Sequence, residues 1–120
     1  MSARSTKKPP WEIRREVRAA LGKARNAMLS PEWDAALDGA TDAQKLKAAR
    51  TLLRVQSAYL RVGNAELEDI RDALVSHREA LLAGKKELEQ VLRSLNRVRP
   101  VLEATAQLIA LVARVVALAA

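Results

Sequence analysis

From Leu46 to Leu102 a leucine stands at every seventh position: Leu46, Leu53, Leu60, Leu67, Leu74, Leu81, Leu88, Leu95 and Leu102, with Ile109 and Val116 continuing the row. Seven residues is close to two helical turns, so such a row makes one seam on a helix and is expected to be buried against another helix. Three residues on, the second seam position holds Ala49, Gln56, Gly63, Ile70, His77, Gly84, Val91, Val98, Thr105 and Val112. Only about half of these are good apolar knobs for a coiled coil.

A chain of 120 residues is one domain at most, with a modest core. Phe is absent and there are only two Trp and one Tyr, so that core must come from Leu, Val, Ile and Ala, the materials of helix bundles. No cysteine is present, which excludes disulfides, thiolate metal sites and thiol catalysis. Met1 to Lys8 is basic but runs into Pro9 and Pro10 rather than an apolar stretch, unlike a secretory signal. A cytoplasmic location is expected, with the inner face of a membrane as the alternative.

Local signals divide the chain. Residues 1–10 read as a basic, disordered arm. Ile13, Val17, Ala20, Leu21, Ala24 and Met28 recur at spacings of three and four and predict a helix over 11–28. Ser30 followed by Pro31 marks the start of a short helix over 31–38, ended by Gly39. Thr41 and Gln44 make a capping box that opens a helix over 42–62, and Gly63-Asn64 is the expected turn. A helix over 65–99 follows, with Gly84 inside it and Pro100 ending or kinking it. Residues 101–120 form the most apolar helix, whose polar residues Glu103, Gln107 and Arg114 fall on one narrow stripe. Domain organisation is thus a basic arm over 1–10, a helical bundle domain over 11–99 and an apolar C-terminal helix over 100–120. That last helix fits a bundle core, an oligomer interface or contact with membrane.

The net charge of +7 is uneven: residues 43–63 carry five bases and no acid, and residues 30–42 carry four acids and no base. Lys47, Arg50, Arg54 and Arg61 share one helix face and are the candidates for contact with an anionic partner. They would track phosphates on nucleic acid, or pair with Glu68, Asp72 and Glu79 of the next helix. No aromatics interleave them and no recognition motif is present, so nucleic acid ranks behind a protein or membrane partner.

Catalysis finds little support. There is one histidine, no glycine-rich phosphate loop and no Glu-x-x-His pattern, so no enzymatic activity, cofactor or metal is expected. Ser76-His77-Arg78-Glu79 looks like the phospho-accepting helical histidine of phosphotransfer domains and sensor kinases, yet the Lys-Gly pair of the former and the Arg-Thr-Pro run of the latter are missing. His77 reads instead as a polar seam residue that sets register. Trp11 and Trp33, each after a proline, are expected to cover the ends of the core.

The expected fold class is all-α: a helical hairpin or bundle with heptad, coiled-coil-like packing, oligomeric in use. The expected function is a non-enzymatic interaction or assembly protein that binds copies of itself or a helical partner. Its seam would be Leu46, Leu53, Leu60, Leu67, Ile70, Leu74, Leu81, Leu88, Val91, Leu95, Leu102 and Ile109. The alternatives are a small membrane-associated protein held through 101–120, and a basic nucleic-acid-binding protein.

Overall fold

The computed structural model describes residues 7–116, so most of the expected basic arm lies outside the described residues. Six helices and, among the described residues, no strand are present: α1 (Pro10–Met28), α2 (Pro31–Asp38), α3 (Asp42–Asn64), α4 (Leu67–Ser76), α5 (Arg78–Val91) and α6 (Val98–Val115).

The helix starts follow local chemistry. Ser30 Oγ accepts from the Trp33 amide at 3.3 Å, with Pro31 at the first helical position. At α3 the Thr41 hydroxyl accepts from the Gln44 amide at 3.1 Å, and the Gln44 side chain accepts from the Thr41 amide at 3.2 Å. Two otherwise orphaned donors are satisfied reciprocally.

Four helices make the body of a bundle in the order α1, α3, α6, α5 around the core, each packed chiefly on its two neighbours. α1 and α3 are antiparallel: Arg14 Nη1 donates to the Ala65 carbonyl at 2.8 Å, and Gly22 lies against the Tyr59 ring. α1 and α5 are parallel, with Lys85 on Glu16 and Lys23 on Glu89. α3 and α6 are parallel too, since Leu53 shares a groove with Ala110 while Leu60 shares the next recess with Val115 and Val116. The two short helices close the ends. α2 packs on α1 and α6 and inserts Trp33, only 2% exposed, at one end; α4 packs on the same two helices at the other and buries Ile70 and Leu74.

Several expectations shift. The helix expected over 65–99 is broken into α4, α5, a turn over 92–97 and the first two residues of α6. His77 joins α4 to α5 with φ −105° and ψ 15°, outside the helical range. Ile70 and Leu74 close the end of the bundle while Leu81 and Leu88 fill its side, and no straight helix presents both. Ser94 and Asn96, which favour turns, lie in the second break, which comes before Pro100 rather than at it. Pro100 sits in the first turn of α6, where a missing amide costs nothing. The expected boundary at 99/100 therefore falls inside a helix. α3 continues through Gly63 to Asn64, so the turn begins at Ala65, and Gly84 is helical as expected. Trp33 covers an end of the core, but Trp11 is 51% exposed, its ring beneath the Arg15 guanidinium.

α6 is a bundle helix. Val101, Leu102, Leu108 and Val112 are buried, and the Thr105 hydroxyl is satisfied by the Val101 carbonyl at 2.6 Å. Among the described residues no helix is long and apolar enough to cross a membrane.

Candidate interaction groove between α3 and α6

The leucine row does not stay on one side of the core. Leu74, Leu81, Leu88, Leu102, Ile109 and Ile70 are buried, and Leu67, Val91 and Leu95 are half-buried. Leu46, Leu53 and Leu60, by contrast, are 54%, 67% and 56% exposed. The sequence of α3 explains this. It carries a second stripe, Ala48, Thr51, Val55, Ala58 and Val62, at spacings of three and four, and that stripe is the buried one. Its smaller side chains let α3 approach both α1 and α6, and Thr51 satisfies its hydroxyl on the Lys47 carbonyl at 2.7 Å. At 100° per residue the three leucines fall roughly 140–180° from Val55, on the far side of the helix.

Beside this row lies a groove of about 630 Å³. Lys47, Arg50, Thr51, Leu53, Arg54 and Ser57 form its α3 wall, and Ala106, Ile109, Ala110 and Ala113 its α6 wall. The three alanines are exposed and stand at spacings of four and three, so their short side chains make a trough along α6. The outer face of α6 is thus wider than the Glu103, Gln107 and Arg114 stripe. A second recess of about 490 Å³ continues from Leu60 past Arg61 and Ile70 to Val116.

The charges around the groove are distinctive. Among the described residues no carboxylate lines it. Lys47, Arg50 and Arg54 stand exposed, without an ion pair or hydrogen bond from their side chains among the described residues. Lys47, Arg50 and Arg54 make no pair with Glu68, Asp72 or Glu79 among the described residues, because α4 turns away across the end of the bundle and α5 packs on α1 and α6 rather than on α3. Several cations on and around α1 are engaged instead. Arg14 holds the Ala65 carbonyl. The Arg18 and Arg25 guanidiniums lie 4.4 and 4.6 Å from the centre of the Tyr59 ring. Lys8 and Lys85 clamp Glu16 at 2.6 and 3.1 Å, and Lys23 and Lys85 clamp Glu89 at 3.0 and 3.6 Å. The Lys8 hydrogen bond, reinforced by Lys85 against the cost of burial, lowers the Glu16 carboxyl to about 2. Burial opposes ionisation of Glu89, but Lys23 and Lys85 still hold it below the ordinary carboxylate range.

His77 is half-buried at the α4–α5 junction, its amide donating to the Ala73 carbonyl at 3.0 Å and its carbonyl accepting from the Leu81 amide at 2.9 Å. Among the described residues no group of three or more His, Asp or Glu is placed to hold a metal ion. Compared with protein-family models, curated proteins and solved structures, the chain matches none.

Sequence reasoning placed Lys47, Arg50, Arg54 and Leu53 on α3 but missed Ala106, Ala110 and Ala113. Their regular spacing beside the polar stripe of α6 was the available signal.

Proposed function

We propose that the protein is a non-enzymatic interaction module that docks a partner helix along the outer face of α3 and the groove it shares with α6. The observation that carries this reading is the outward row Leu46, Leu53 and Leu60, each more than half exposed at heptad spacing. Such a row is half of a coiled-coil seam, and a contiguous apolar strip beside a concave trough marks an interaction surface.

Magnitudes limit what the leucines do alone. Covering the exposed half of each contributes about 1 kcal/mol, or about 3 kcal/mol for the row. Millimolar association already needs about 4 kcal/mol after the cost of lost freedom. The occupant must therefore also fill the trough and engage the cations on its rim.

The test uses synthetic helical peptides about 18 residues long with leucine at heptad positions, enough to span the roughly 21 Å from Leu46 to Leu60 at 1.5 Å per residue. At least one peptide of the set should bind the full chain, and Leu53→Glu should abolish that binding while leaving the circular dichroism spectrum unchanged. Failure of every peptide, whatever its flanking charges, removes the reading.

A further inference from the structure

Resting on that docking reading, we infer that the occupant of the α3–α6 face is an acidic amphipathic helix of about four turns, supplied by a different protein. Three observations on the structure select it.

First, the rim is cationic on both flanks of the leucine row. Lys47, Arg50 and Arg54 stand on the α6 side. Tyr59, bracketed by Arg18 and Arg25, lies roughly 140° around α3 from Arg54, on the α1 side. None of these five cations has a carboxylate within ion-pair distance among the described residues. In a coiled-coil seam the positions flanking the apolar row choose the partner by charge; here the α6-side flank of Lys47, Arg50 and Arg54 calls for acids, and the α1 side adds the two guanidiniums stacked on Tyr59.

Second, a second copy of this chain is a poor occupant. Two-fold pairing brings the same patch together on both sides, setting Lys47, Arg50 and Arg54 against their own counterparts. The acid-rich stretch over 30–42 offers no substitute, because α2 is eight residues long and its tryptophan is buried in the core.

Third, the trough is built for side chains rather than for a flat surface. Ala106, Ala110 and Ala113 leave room between α3 and α6 for large apolar groups entering at helical spacing, and a regular row of leucines stands beside them.

The experiment compares three peptides of identical leucine positions whose flanking residues are all Glu, all Gln or all Lys, binding to the full chain at ~50 and ~200 mM salt. The Glu peptide is expected to bind about tenfold or more tighter than the Gln peptide, to weaken with salt, and to outbind a Lys peptide that shows no binding. The Lys47→Glu/Arg50→Glu/Arg54→Glu variant should invert that order. Its changes are all at exposed helix positions, and its circular dichroism spectrum checks the fold. Equal binding of the Glu and Gln peptides overturns the acidic assignment while leaving helix docking standing. Failure of all three overturns both. Dimerisation of the chain that Leu53→Glu abolishes would replace the acidic helix with a second copy. Flotation with phosphatidylserine vesicles, or retention by a DNA duplex, that displaces the Glu peptide and is lost in the triple variant would equally overturn the assignment.

Discussion

The guanidinium of Arg18 on α1 fills the space that a side chain at residue 63 of α3 would need: a Cβ built on Gly63 collides with it. The placement of the Arg18 side chain, stacked on Tyr59, thus depends on the missing side chain. Alanine in a helix is favoured over glycine by about 1 kcal/mol, while a partly exposed cation–π stack is worth about 0.5–1 kcal/mol. Gly63→Ala should therefore leave stability nearly unchanged or slightly raised in the native background. In an Arg18→Ala background it should stabilise by about 1 kcal/mol. Urea denaturation of the four proteins of this cycle measures the coupling, and equal effects in both backgrounds contradict the packing.

Glu16 makes the bundle acid-sensitive. Its folded carboxyl, lowered to about 2 from an ordinary 4.5, contributes stability that is complete above about pH 4.5 and disappears as the pH falls toward 2. The amount is on the order of 2 kcal/mol, less than the full shift implies because Lys8 keeps 39% of its side chain in water. Glu16→Gln should be destabilised by that amount at neutral pH and should match the native chain near pH 2. A gap between the two that stays constant across this range would contradict the clamp.

Two leucines at the same heptad position have opposite weights. Leu81 is buried between α5 and its neighbours, and Leu81→Ala should cost about 2–5 kcal/mol. Leu53 points outward, and Leu53→Ala should change stability by no more than about 0.5 kcal/mol. Thermal unfolding of the two variants separates them; similar losses would mean that Leu53 is covered in solution.

The two tryptophans occupy opposite environments. Trp33→Ala should destabilise by about 3–5 kcal/mol through the cavity left at the end of the core. Fluorescence of a Trp11→Phe variant should report a dry indole that shifts to the red on unfolding, while a Trp33→Phe variant should emit from a wet indole before and after. Matching spectra in the folded state would contradict the end-plug role of Trp33.

Short-range chemistry made much of this fold readable in advance. Ser30 with Pro31, and Thr41 with Gln44, fix helix starts through bonds spanning three residues, so no distant partner is needed to see them. The facing of α3 was not readable, because that helix carries two apolar stripes. The larger leucines suggested the inner one, whereas the packing of α1 and α6 chose the smaller stripe through Val55 and Ala58. The break at His77 lacked any glycine or proline; it arises from the need of Ile70 and Leu74 to close the end of the bundle. Pro100 suits the first turn of a helix as well as its end, and only the turn over 92–97 decides between the two. Of the candidate site, the basic row was legible and the alanine trough was not, since its depth exists only between two helices.

The two walls of that trough are parallel helices, and parallel neighbours are never joined by a hairpin. After Asn64 the chain crosses the end of the bundle as α4 and returns along α1 as α5 before α6 reaches α3. The recess is therefore formed by residues roughly 50 to 65 positions apart in the chain, and it exists only where α3 and α6 are docked together. Whatever lodges there reads the completed fold, and by mass action it raises the melting temperature as its concentration increases.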